Sequence, residues 1–153
     1  MGEWKIGTDS DVLKTTLGSC AGIVLYSAEH RIGGIAHILL GEPPAGKIVH
    51  RGKYARTAIN GLIADLALKG IPDSSLKAAL FGGATMFVSK NDNMLQNIGI
   101  ENIRISKEVL LSKNIPVFHE ETGGTRGRSI SLFISERKIR YSSSGNENYI
   151  YIS

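Results

Sequence analysis

The stretch TTLGSCAGIVLYSAEHRIGGIAHILL, residues 15–40, holds the only cysteine of the chain, Cys20, and two of its four histidines, His30 and His37. Residues 21–26 and 32–39 within it are rich in branched apolar side chains and read as two strands. The short segment Ser27-Ala28-Glu29-His30 between them predicts a hairpin. Centred between Ala28 and Glu29, that hairpin sets Tyr26 opposite Arg31, Val24 opposite Gly33 and Cys20 opposite His37. Directly opposed residues on one face of an antiparallel pair have Cβ atoms roughly 4.5–5.5 Å apart, within reach for a thiol and an imidazole. A slip of one residue would break the pairing.

Two readings of Cys20 stand on these residues. A single cysteine at the start of an apolar strand is commonly a buried small side chain. The alternative is a nucleophile. A free thiol has a pKa of about 8.5 and needs a neighbouring base to act near neutrality. Gly18 and Ser19 lead into Cys20, so the backbone can turn sharply and present N–H groups to a developing oxyanion. Gly33-Gly34 leaves the second strand uncrowded. Thr15 and Thr16, just upstream, offer a hydroxyl to orient the imidazole.

The chain of 153 residues suits one domain, residues 1–153. Hydrophobic residues make up 42% and charged residues 21%, as in ordinary globular proteins. One cysteine forms no internal disulfide, and no apolar run approaches the roughly 18 residues of a membrane helix. The polar, glycine-broken N-terminus lacks a signal-peptide core, so a cytoplasmic protein without membrane insertion is expected. The net charge of +4 is spread along the chain. A nucleic-acid binder concentrates its basic residues on one face, so nucleic acid is not an expected partner.

Further along, Pro43, Pro44 and Gly46 make residues 39–54 a long loop. Residues 54–69 carry Ala55, Ala58, Ile59, Leu62, Ile63 and Leu66 at helical spacing, with Gly70 and Pro72 as the stop. A second helix is predicted over residues 100–114, ending before Pro116. Residues 76–81, 115–118, 129–135, 138–142 and 148–152 read as strands. The pattern is α+β, sheets with helices outside. His30 falls in the turn and His50 in the loop. His119 stands beside Glu120-Glu121, but no second spaced ligand accompanies it, so no metal site is expected.

At LKTTLGSC…GGIAH the chain resembles the CheD family, the chemoreceptor glutamine deamidases of bacterial and archaeal chemotaxis. Cys20 and His37 are separated by the family's 17 positions. The likeness continues through Lys53-Tyr54, LFGGA (80–84), NIGIENI (97–103) and TGGTRGR (122–128). One departure is Gly41, where the family continues with proline. The resemblance implies a single-domain β-sandwich of mixed sheets flanked by a few helices, carrying a papain-like site. It implies Cys20 as nucleophile, His37 as base and acid, and a preceding threonine as third residue, Thr15 in preference to Thr16. Gly18, Ser19, Gly82 and Gly83 are then expected to form the oxyanion and substrate loops, with no cofactor. The implied activity is hydrolysis of glutamine side chains on chemoreceptor cytoplasmic domains to glutamate. The implied alternative is a binding module that regulates a CheC-type phosphatase of the chemotaxis response regulator. Gly123-Gly124 with Arg126 and Arg128 is expected to be either a turn with solvated arginines or a loop that meets an acidic receptor surface.

Overall fold

The computed structural model describes residues 3–41, 50–85, 93–143 and 145–153. Residues 42–49, half of the predicted loop over 39–54, lie outside them. Nine strands are found among the described residues: β1 (Glu3–Thr8), β2 (Val12–Leu17), β3 (Ala21–Ser27), β4 (Ile32–Ile38), β5 (Lys77–Gly82), β6 (Val117–Thr122), β7 (Arg128–Phe133), β8 (Lys138–Ser143) and β9 (Asn146–Tyr151). Two helices, α1 (Ala55–Leu68) and α2 (Asn93–Ser112), accompany them.

The strands form two sheets, one of order β1-β4-β3-β5-β6 and one of order β2-β7-β8-β9. The first is mixed, because β5 and β6 run parallel; the second is antiparallel throughout. β3 and β4 are buried along their whole length, which explains why they read as continuous apolar runs and not as alternating strands. Their alternate residues divide between two cores. Ala21, Ile23, Leu25, Ala36 and Ile38 face the helices with Ile59, Leu62, Leu66, Ile105 and Leu110. Val24, Tyr26 and Ile35 face the second sheet with Leu17, Ile130, Leu132 and Ile139. The order of layers is therefore helices, five-stranded sheet, four-stranded sheet.

The helix ends follow from local chemistry. At the end of α1, Gly70 N–H bonds Ala67 O at 2.9 Å and Ile71 N–H bonds Leu66 O at 3.0 Å, the Schellman arrangement. Asn114 closes α2 in the same way, through Ile115 N–H to Leu110 O at 3.0 Å. α2 begins earlier than its sequence suggests. Gly99, one residue before the predicted start, lies within the helix, where α2 packs against the backbone of Gly83 and a Cβ on Gly99 would fall on the Gly83 carbonyl. β1 and β2 are absent from the sequence reading. β1 is held at the sheet edge partly by Trp4, which packs on Gly61 of α1 and donates to Asp65 Oδ2 at 2.7 Å.

Candidate active site

The β3–β4 hairpin turns through four residues, Ala28 to Arg31, with Arg31 in the left-handed region at φ 51°. Its register therefore differs from the expected one. Tyr26 pairs with Gly33, Val24 with Ile35, and His37 with Gly22 in place of Cys20. The shift moves the pairing by two residues, so the faces are preserved. Cys20 precedes Gly22 by two and packs, half-buried, in the core between the sheets. His37 is on the same face of β4 as Ile35, and the two groups are diagonal neighbours. Such positions are typically ~7–8 Å apart at Cα, still within reach of long side chains.

His37 is 9% exposed. Its Nδ1 lies 2.8 Å from Thr15 Oγ1, and its Nε2 is buried with no hydrogen-bond partner. Thr15 reaches it because Leu13, Thr15 and Leu17 point from β2 toward the five-stranded sheet. Thr16 points the other way and lies 3.4 Å from Ser129 Oγ on the exposed face. The alternation Leu13-x-Thr15-x-Leu17 is the sequence signal that separates the two threonines. With Nδ1–H donating to Thr15 Oγ1, the lone pair is left on Nε2, as a base requires.

Burial sets the resting charges. Desolvation raises the Cys20 pKa above its ordinary value and lowers that of His37, an effect that nearby Glu3 partly offsets at the imidazole. Near neutrality the pair is thiol and neutral imidazole. This carries a pH signature. Alkylation of Cys20 by iodoacetamide is expected to rise about tenfold per pH unit through neutrality, without levelling until above ~8.5. Intact mass reads it cleanly, because Cys20 is the only thiol. A rate already flat between pH 6 and 8 would show a preformed thiolate and contradict this.

The turn that presents Cys20 is held from one side. Ala84 N–H bonds Gly18 O at 3.0 Å, Asn102 Nδ2 bonds Ser19 O at 3.2 Å, and Gly83 N–H bonds Cys20 O at 2.9 Å. The Gly83 N–H is thus committed to the Cys20 carbonyl and braces the backbone of Cys20. The N–H of Cys20 itself lies against its sulfur, and lowers its pKa against the larger effect of burial.

Arg128 is also corrected. It is buried, and donates to Gly82 O at 3.2 Å and Gly123 O at 2.8 Å, so it ties two turns together and does not face a partner. His119 packs against the rings of Phe81 and Tyr141. Asn102, fully buried on α2, went unnoticed in the sequence. A polar residue among Ile98, Ile105 and Val109 on an otherwise apolar stripe was the available signal. A cavity of about 170 Å³ lies on the β1 side of His37, lined by Ile35, Leu13 and Thr15 and bordered by Glu3, Lys5 and Lys14. No described helix is long and apolar enough to cross a membrane.

Comparison with known proteins gives concordant results. A family model described as CheD chemotactic sensory transduction matches residues 40–143. A chemoreceptor glutamine deamidase CheD of Bacillus subtilis (strain 168) is 41% identical over 131 residues, covering 84% of this chain and 79% of that protein. A probable chemoreceptor glutamine deamidase CheD of Thermococcus kodakarensis is 37% identical over 145 residues, covering 92% and 88%. One of the same description from Methanococcus vannielii is 35% identical over 139 residues, covering 91% and 89%. The family model begins after Cys20 and His37. A match spanning 92% of the chain leaves too few residues outside it to omit either one from an end.

Proposed function

The chain belongs to the CheD family, and on that premise we propose that it hydrolyses glutamine side-chain amides of chemoreceptor cytoplasmic domains to glutamate, with Cys20 as nucleophile. The observation that carries the reading is the state of His37. Its Nδ1 is fixed by Thr15 at 2.8 Å, while its Nε2 is buried and unpartnered on the face it shares with Cys20.

The steps follow from these groups. The Cys20 sulfur attacks the amide carbonyl carbon, and the thiol proton passes to His37 Nε2 as the bond forms. The carbonyl oxygen becomes an oxyanion, held by the backbone N–H of Cys20. His37 returns the proton to the amide nitrogen, the C–N bond breaks, and ammonia leaves a thioester. A water molecule then attacks the thioester carbon and gives its proton to His37. The C–S bond breaks, His37 returns its proton to the departing sulfur, and the acid leaves as glutamate with its proton passing to the released ammonia. Thr15 holds the imidazole in one tautomer throughout. A resting pair of neutral groups suits this sequence, because the base must have its Nε2 lone pair free when the substrate arrives.

The test is the intact mass of a receptor cytoplasmic fragment after incubation with the protein. A gain of about one dalton for each glutamine converted is expected. An unchanged mass, with the fragment still bound, would overturn the deamidase reading in favour of the binding module.

A further inference from the structure

We propose that Asn102 is a positioning residue that aims the backbone N–H of Cys20 at the reacting carbonyl oxygen, an inference that rests on the deamidase reading above. Its side-chain amide donates both to Ser19 O at 3.2 Å and to Leu39 O at 3.0 Å. Ser19 O and the N–H of Cys20 belong to one peptide unit. In a trans peptide the two point in opposite directions, and no cis bond occurs among the described residues. Fixing the carbonyl on the α2 side therefore fixes the N–H on the opposite side. The neighbouring peptide is set in the same sense by Ala84 N–H on Gly18 O.

The second bond gives Asn102 a further effect. Leu39 follows His37 by two residues, beyond the end of β4. One side chain thus ties the turn that carries the nucleophile to the strand that carries the base. Asn102 is itself enclosed and tied to its own helix. It is 0% exposed, and its own carbonyl accepts Ser106 Oγ–H at 2.7 Å. Gly99, one turn earlier, packs against Gly83, whose N–H holds Cys20 O. One face of α2 therefore supports the nucleophile's turn. The side-chain oxygen of Asn102 is buried without a partner, so the residue is retained at a cost that an apolar side chain would avoid.

The experiment uses the full chain and two variants, Asn102→Asp, which keeps the shape and loses the donors, and Asn102→Ala. Ser106→Ala is the control for disturbance of α2. Three quantities are read: kcat and KM for ammonia release from a receptor cytoplasmic fragment, the rate of Cys20 alkylation by iodoacetamide, and the thermal midpoint. Alkylation is a displacement at carbon that forms no oxyanion, so it does not depend on the N–H donor.

The expected result is a kcat about 100-fold lower with KM within about twofold, and alkylation within about threefold of wild type. Should Asn102→Asp fail to fold, Asn102→Ala carries the same readings. A kcat within about threefold of wild type in a folded variant overturns the inference. So does a parallel fall of kcat and alkylation, which would mean that the thiol itself had been displaced. Either result leaves the deamidase reading intact as long as the wild type releases ammonia and Cys20→Ala does not. If the wild type releases none, both fall together.

Discussion

Cys20→Ala is expected to release no ammonia from a receptor fragment, and His37→Ala to lose at least ~10³-fold in kcat. The two effects come from one proton path. Without the sulfur no thioester forms. Without the imidazole nothing accepts the thiol proton, and burial keeps that thiol protonated near neutrality. The double variant should be no worse than the worse single one, because residues that act as a unit are grossly non-additive. Thr15→Val should cost less, about 10–100-fold, since it leaves the base present and releases only its orientation. Cys20 is half-buried at the mouth of β3, so its alanine variant should keep a thermal midpoint within a few degrees of wild type. Full turnover by Cys20→Ala, or loss of activity only where the fold is also lost, would remove the nucleophile from the mechanism.

How much of this was legible depended on where each residue's partners lie. The apolar runs of β3 and β4 and the stripe of α1 announce themselves, because their burial is written in adjacent positions. β1 and β2 do not. Each buries only part of one face, and their polar residues look like a solvated terminus. The hairpin's faces were readable but its register was not. That register depends on Arg31 taking a left-handed conformation, which no local glycine or asparagine signals. Cys20 and His37 stand out by residue type and spacing alone. The physical reason for Thr15 over Thr16, that the two face opposite sides of β2, needs β2 to be recognised as a strand. For Asn102 only the break in the apolar stripe of α2 is local; the two carbonyls it holds are more than 60 residues away in sequence.

Gly82→Ala should be among the most destabilising single-methyl changes in this protein. Gly82 sits at φ 93°, and a Cβ there would fall on the carbonyl oxygen of Cys20. Neither side can retreat freely. The Gly82 carbonyl is held by Gly123 N–H at 3.0 Å and by the Arg128 guanidinium at 3.2 Å. The Cys20 carbonyl is held by Gly83 N–H at 2.9 Å. Relief must come from breaking one of these bonds, and the nucleophile moves with it. Gly70→Ala is the matching control. Gly70 has φ 82° and nothing within 4 Å of the position of a Cβ, so it carries only the backbone penalty. That penalty is about 1–2 kcal/mol. At Gly82 the added crowding brings the cost to about 3–5 kcal/mol. For a chain of this size each kcal/mol lowers the midpoint by ~2–4 °C, so Gly82→Ala should melt about 10 °C below wild type. Gly70→Ala should fall by a few degrees and keep full turnover, whereas Gly82→Ala should lose turnover even at temperatures where it stays folded. Equal losses of midpoint at the two glycines would mean that the Cys20 turn yields to the methyl group. The bracing of the nucleophile by Gly82 and Gly83 would then be too soft to position it.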